Sequence, residues 1–419
     1  MFRRLGPALV LALSILLPVS AAEPGLAQTG AAPAARKATP WRPPAGPAFN
    51  NPVGGPAQRS ALINRVGAAI RHTHKGQTIR IATYSFDRHD IADLLIKAKR
   101  RGVHVQMVVN DNWTSKPTER LRRALGHNPR KKNFVVICEG SCRGGPGNLH
   151  MKVFSFTKTG GAPDVLMTGS TNLTNRAADL QWNDLFTVVG NQGLFDTFVG
   201  VFNQLKFDKK VNPRWVEYHG TGMDATFYRK AAQQQATVQS RPAERAPAPE
   251  DDPVNQRLKK IRCAAVKGAG IKGHTVVHIM MYGWQNDRGK YLADRVATMA
   301  RHGCDVKLIL SRAGAGVRRI LRAAGIPMRS ADWQYNDEGD VNFYSHLKVL
   351  TVNGTYAQKP THSVWTGSEN WSRMSFRNDE MILHVTGLRN YRAYIGQFTH
   401  LWNDSTHTFD VQPTTKPPA

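Results

Sequence analysis

Two short stretches of this chain carry residue types that can do chemistry, and both occur twice. Asn148-Leu149-His150-Met151-Lys152-Val153-Phe154 is followed by Thr168-Gly169-Ser170-Thr171-Asn172, and Tyr344-Ser345-His346-Leu347-Lys348-Val349-Leu350 by Thr366-Gly367-Ser368-Glu369-Asn370. One His-x-Lys arises freely by chance; a second, trailed at nearly the same distance by Gly-Ser-x-Asn, is an internal duplication. The copies lie 196 residues apart at the histidines and 198 at the asparagines, and Asn378-Asp379 lies 195 beyond Asn183-Asp184. Two histidines, two lysines and two asparagines are therefore expected at one site. Metal-free phosphodiester cleavage needs a nucleophile, an acid for the departing alkoxide, and donors around the phosphate oxygens. The doubled motif supplies all three. One neutral imidazole would attack phosphorus and form a phosphohistidine, while the other, protonated, gives its proton to the leaving alcohol and then takes one from water or a second alcohol. Lys152, Lys348, Asn172 and Asn370 are predicted to hold the phosphate, with Ser170 and Ser368 shaping the cradle. Asp184 and Glu380 are each predicted to orient an imidazole through its far nitrogen.

The elements that must position these groups are legible from periodicity. Residues 78–84 read as a buried strand matched by 276–282; Ile91, Leu94, Leu95 and Ala98 recur at helical spacing, Gly102 stops the helix, and 103–109 is a second strand. In the second copy Leu292, Val296 and Met299 form the helical face, Gly303 the stop and 306–310 the strand. Strands alternating with amphipathic helices predict an α/β fold with mixed sheets covered by helices on both faces. The His-x-Lys motifs are placed on strands 149–156 and 345–352, where side chains two apart share a face. Each Gly-Ser-x-Asn follows an apolar run, 165–167 and 363–365, so it falls at a strand end where backbone N–H groups can cradle an anion. His72, His74, His104, His274 and His302 lack this context and read as surface or packing residues. Trp182, Trp365 and Trp371 read as core-edge packing, and Asp111 as a turn former. Zinc would need Cys and His at characteristic spacing and magnesium convergent carboxylates; neither pattern accompanies the motifs, so no metal and no cofactor is expected.

The paired His-x-Lys and Gly-Ser-x-Asn motifs, with the openings Ala82-Thr83-Tyr84-Ser85-Phe86 and Met280-Met281-Tyr282-Gly283-Trp284, resemble the phospholipase D superfamily of phosphodiesterases over about residues 49–405. The resemblance implies two pseudo-symmetric α/β sandwich domains with one active site at their interface, His150 as nucleophile and His346 as acid. The sequence departs from the family pattern in two places. The aspartate five residues after the lysine is replaced by Thr157 and Asn353, as it is missing in tyrosyl-DNA phosphodiesterases of the superfamily. The Asn-x-Glu acidic element is complete only as Asn378-Asp379-Glu380, against Asn183-Asp184-Leu185 in the first half.

Residues 1–22 read as a signal peptide, with Arg3 and Arg4 before the apolar run 8–19 and small residues at 20–22, so a secreted protein is expected. No later apolar stretch approaches spanning length, which predicts release rather than anchoring. Residues 23–48 read as a disordered Pro/Ala-rich lead-in, 49–228 as the first domain, 229–253 as a linker loop, 254–408 as the second domain and 409–419 as a tail. Export makes disulfides expected; of three pairings, Cys138 with Cys142 and Cys263 with Cys304 keeps each bridge within one repeat. The formal charge is +27, and +25 once Arg3 and Arg4 are removed, an excess that favours anionic polymers or surfaces. The expected partner is a phosphodiester, either phospholipid cleaved or exchanged at its head group or, alternatively, nucleic acid cleaved by a secreted endonuclease, with peripheral contact to anionic membranes and a monomeric state. A non-catalytic binder of anionic polymers would not need two histidines facing one phosphate.

Overall fold

The computed structural model describes residues 39–228, 248–331, 333–335 and 341–411. The predicted signal peptide, lead-in residues 23–38, linker residues 229–247 and tail residues 412–419 lie outside the described residues. Two mixed sheets form the frame. The first has the order Gly46–Phe49, Asp184–Val188, Ala162–Gly169, Lys152–Thr159, Thr78–Thr83, His104–Asn110, Phe134–Cys138. The second repeats its centre: Asp305–Ala313, Val276–Trp284, Lys348–Tyr356, Lys359–Gly367 and Glu380–Thr386 are consecutive neighbours. In each sheet the opening strand runs parallel to the strand after its crossover helix and antiparallel to the strand carrying the motif lysine. The two-domain α/β expectation with mixed sheets is thus met.

The hydrophobic pattern explains the layers. Helix His89–Arg100 buries Ile91, Ala92, Leu95 and Ala98 and ends before Gly102 at φ +85°, a left-handed position where glycine is not penalised. Asn286–Arg301 buries Leu292, Ala293, Val296 and Met299 and ends likewise before Gly303 at φ +89°. These helices cover the outer faces of their sheets. The inner faces share one continuous core, in which Val108, Val153 and Leu166 of the first sheet and Met280, Val349 and Leu383 of the second enclose helices Gln192–Leu205 and Leu388–Asn403. That common core packs the two halves against each other.

The boundaries differ from those expected. Gly46–Phe49 pairs with Asp184–Val188, and Trp41 stacks on His72 at 4.1 Å, so the last residues of the lead-in are built into the first half. Trp215–Gly220 and Met223–Tyr228, in sequence part of the first domain, form a hairpin that pairs with Glu380–Thr386 and extends the second sheet. An otherwise open strand edge is covered and Ala225 and Phe227 are buried, which favours this sheet over the nearer one in sequence. Asp252 is buried, caps helix Pro253–Lys259 and ion-pairs with Arg288 at 2.9 Å, so the linker ends before it. Phe409–Asp410 pairs with Met328–Ser330 rather than belonging to a free tail. Both disulfides have the local pairing, Cys138–Cys142 and Cys263–Cys304. Among the described residues no helix is long and apolar enough to cross a membrane.

Candidate active site

The strands begin at Lys152 and Lys348, three residues later than the predicted starts at 149 and 345, and each histidine lies two residues before its strand. The reason is hydrogen bonding across the halves. The His150 and Met151 N–H groups both donate to the Asp379 carbonyl, at 3.0 and 2.9 Å, and the His346 N–H donates to the Trp182 carbonyl at 2.9 Å. Leu149 pairs in parallel with Asp379, and Tyr344-Ser345 in parallel with Gln181-Trp182. Each histidine is therefore carried by one half and fixed to the other. The lysines then follow from within their strands, and each ammonium donates back to the carbonyl of its own histidine, Lys152 to His150 and Lys348 to His346.

The acidic element is registered differently from the sequence alignment. Glu380 accepts from His150 Nδ1 with both oxygens at 3.0 Å, across the domain interface. Asp184 does not touch His346. Its carboxylate accepts from the Ser170 N–H at 3.0 Å, the Tyr394 hydroxyl at 2.8 Å and the Thr366 hydroxyl. His346 Nδ1 instead donates to the Asn183 side-chain oxygen and the Ser170 carbonyl, both at 3.0 Å. The serine bonds confirm the correspondence: Ser170 Oγ donates to Asn183 and accepts from the Asp184 N–H, as Ser368 Oγ donates to Glu380 and accepts from the Met381 N–H. Asn183 thus stands where Glu380 stands, an offset of 197 rather than 195, and Gln181-Trp182-Asn183 is the first half's Asn378-Asp379-Glu380. Matching identical letters across an Asn-Asp pair misaligned the halves by two residues, which moved the assignment to the wrong side of the strand entry. The consequence is chemical asymmetry: His150 has a carboxylate partner and His346 an amide.

Electrostatics sharpen the asymmetry. Burial lowers the His150 pKa, and the two lysines add to this, while Glu380 opposes it. Burial, Lys348, Lys152 and His150 together push His346 well below the ordinary histidine value. That each histidine feels both lysines places the four groups in one field. Burial brings Lys152 down to about 7 and, with the charge of Lys152, drives Lys348 well down. Burial alone would raise Glu380, but His150, Ser368 and Lys152 outweigh it and keep the carboxyl ionised. The two histidines and two lysines form a buried cluster in which desolvation and mutual repulsion disfavour the positively charged forms. Both Nδ1 atoms face acceptors, so Nε2 is the ring nitrogen left for other partners in each histidine.

Two tyrosines that sequence reasoning left unassigned complete the pair symmetry. The Tyr84 ring packs edge-on against His150 at 5.3 Å with the Lys152 ammonium 5.3 Å from its centroid; Tyr282 packs against His346 at 4.7 Å with Lys348 at 4.7 Å. Their signal was present, since they occupy the same place in the duplicated openings 198 residues apart. Asp379 is gripped from the first half by Arg143 Nε at 2.7 Å and Ser141 Oγ at 2.9 Å, both contributed by the Cys138–Cys142 turn and all buried. The disulfide turn therefore anchors the element that bears Glu380. Ser170 and Ser368 spend their hydroxyls on Asn183 and Glu380, so they support the orienting groups. Asn370 accepts from the Gly283 N–H at 3.2 Å, which leaves only its amide nitrogen for a phosphate, while Asn172 Oδ1 is buried without a partner. Trp182, Trp365 and Trp371 are buried as packing, and Asp111 accepts from the Gly140 N–H in a surface turn. Among the described residues no group of three His, Cys, Asp or Glu is placed to hold a metal ion.

Comparison with known proteins agrees with this architecture. Phosphatidylserine synthase of Haemophilus influenzae Rd KW20 is similar with a TM-score of 0.55 and 13% identity, over 89% of this chain and 90% of that one. Polyphosphate kinase of Porphyromonas gingivalis is similar with a TM-score of 0.51 and 12% identity, over 85% of this chain; the chain spans 49% of that protein's length. At these identities the likeness is one of fold. No curated protein matches the chain in sequence. Residues 67–206 and 271–402 match the family described as "Cardiolipin synthase, PLD-like domain", and those two segments contain both His-x-Lys motifs and both orienting residues. With more than half its length matched in two copies, the chain belongs to this phospholipase D-like family.

Proposed function

We propose that the protein is a metal-independent phosphodiesterase that works through a phosphohistidine on His150. The observation that carries this is the reciprocal anchoring of the two histidines, with a carboxylate on Nδ1 of one and an amide on Nδ1 of the other. Glu380 holds the Nδ1 proton of His150, keeps the Nε2 lone pair free, and stabilises the positive charge that the ring acquires when Nε2 bonds to phosphorus. As that P–N bond forms, the P–O bond to the leaving alcohol breaks and its oxygen takes the Nε2 proton of His346. Water, or a second alcohol, then gives its proton to His346 and attacks phosphorus, the P–N bond breaks, and His150 is regenerated. Lys152 and Lys348 hold the charge that spreads over the phosphate oxygens. Bound anion raises the His346 pKa, so the acid is charged when substrate arrives.

Phospholipid hydrolysis or head-group exchange is supported by the family's description and by the lipid synthase among the structural likenesses. The charge of +27 supports nucleic acid as a second reading. Secretion and a monomeric state remain expectations of the sequence. The test of the chemistry is a rapid acid quench during turnover of methyl 4-nitrophenyl phosphate. A phosphoryl adduct on the peptide containing His150 is expected, with turnover abolished in His150→Ala and in His346→Ala. Half-activity in each single variant, or an adduct on His346, would overturn the shared site or the assignment of roles.

A further inference from the structure

Trp113 is a large apolar residue left 55% exposed at the rim of this site, and it is held there rather than left loose. Its turn, Asp111–Trp113, follows directly on strand His104–Asn110, at the same sheet end as Lys152. The Asn110 side chain caps the turn by accepting from the Asn112 N–H, Asn112 bonds to Asn148 two residues before His150, and Asp111 accepts from the Gly140 N–H. The indole N–H donates to the Tyr84 hydroxyl at 3.0 Å, and Tyr84 is the ring that packs on His150. The polar atom of Trp113 is thus satisfied inward while its apolar surface stays in water. Across the site, on the His346 side, the Tyr282 ring stacks on Tyr344 at 5.3 Å, and the exposed Arg176 guanidinium lies 6.0 Å from the Tyr344 ring.

We infer that Trp113 is a specificity-determining residue, a stacking platform for the base next to the scissile phosphate of a single-stranded polynucleotide, with Arg176 meeting the backbone on the leaving-group side. This rests on the phosphodiesterase reading above. A flat, immobilised aromatic face at the rim of a site that presents an exposed guanidinium on its other side is what a single strand engages without regard to base identity. A membrane is the poorer occupant of the same rim. Inserting Trp113 into lipid would drag Asp111, Asn112 and Thr114, all exposed, out of water with it, and among the described residues the other exposed large apolar side chains, Phe207, Val266, Ile271, Met374, Leu388 and Phe409, all lie outside this turn.

The experiment measures binding separately from catalysis. Anisotropy of a fluorescein-labelled oligothymidylate gives Kd for the full chain and for Trp113→Ala, Trp113→Phe and Arg176→Glu, each with the base-bearing strand and with an abasic strand of equal length. Stacking of about 1–3 kcal/mol per base corresponds to a Kd raised roughly 5- to 150-fold in Trp113→Ala. Trp113→Phe is expected to recover most of that loss, and the abasic strand to bind wild type and Trp113→Ala within about twofold of each other. Arg176→Glu should weaken both strands alike and flatten the salt dependence. Equal Kd for wild type and Trp113→Ala on the base-bearing strand would overturn the inference. So would loss of binding to phosphatidylglycerol vesicles in Trp113→Ala without loss on the oligonucleotide, which would make Trp113 a lipid anchor. Failure of the wild type to turn over methyl 4-nitrophenyl phosphate would instead remove the phosphodiesterase reading and leave the binding comparison standing.

Discussion

Glu380→Gln isolates the one charge that distinguishes the two histidines. Both carboxylate oxygens lie 3.0 Å from His150 Nδ1, and the group is fully buried, with Ser368 and Asn378 as its other partners. Glutamine preserves shape and one acceptor but removes the charge that faces the ring when Nε2 is phosphorylated. Two unit charges about 4 Å apart interact by about 4 kcal/mol at an effective dielectric near 20. Since 1.36 kcal/mol is tenfold in rate, losing most of that term slows adduct formation by roughly 10²–10³. The neutral substitution should leave the fold intact, because the Ser368 and Asn378 contacts can be kept by the amide. Single-turnover quench with methyl 4-nitrophenyl phosphate reads the step directly: the rate of phosphohistidine appearance should fall by that factor while the adduct remains on His150. A rate within about threefold of wild type, with an unchanged melting temperature, would refute the role given to Glu380. Transfer of the adduct to His346 would show that the carboxylate, and not the position in the chain, chooses the nucleophile.

The same asymmetry predicts a pH effect in Asn183→Asp. On the proposed mechanism His346 acts in its protonated form on an alkoxide leaving group, so kcat/KM for a dialkyl phosphodiester should fall as pH rises through its pKa in the free enzyme, which burial and the lysines hold well below the usual value. A carboxylate at 183 should move that fall upward by about 1–3 pH units, until the loss of the Lys152 charge at about 7 takes over; an unshifted profile would show that His346 is not the acid. Arg143→Met leaves Asp379 buried without its cation and should destabilise the protein by about 3–5 kcal/mol in urea unfolding, whereas an exposed ion pair would cost less than about 1 kcal/mol. Activity on methyl 4-nitrophenyl phosphate should persist in excess EDTA; complete loss that is restored by a divalent ion would overturn the mechanism.

Much of the site was legible in the amino-acid sequence because it is duplicated. Repetition singled out His150, Lys152, His346 and Lys348 from the other histidines and lysines, and the alternation of strands and helices with Gly102 and Gly303 as stops defined the frame. These are local signals, carried by residue type and short periodicity. The tertiary structure decided what depends on contacts between distant segments. The partner of His346 is Asn183 because a parallel pairing between Tyr344-Ser345 and Gln181-Trp182 sets the register, and no local pattern encodes which residue of an Asn-Asp pair faces an imidazole 163 residues away. The hairpin Trp215–Tyr228 joins the second sheet because the edge of Glu380–Thr386 lay open to it, a competition between two edges that composition does not record. Arg143 reads as one more basic residue in a chain of excess positive charge until folding buries it against Asp379. Sequence determined which groups could do the chemistry; burial and cross-domain register determined which histidine faces a carboxylate and which an amide.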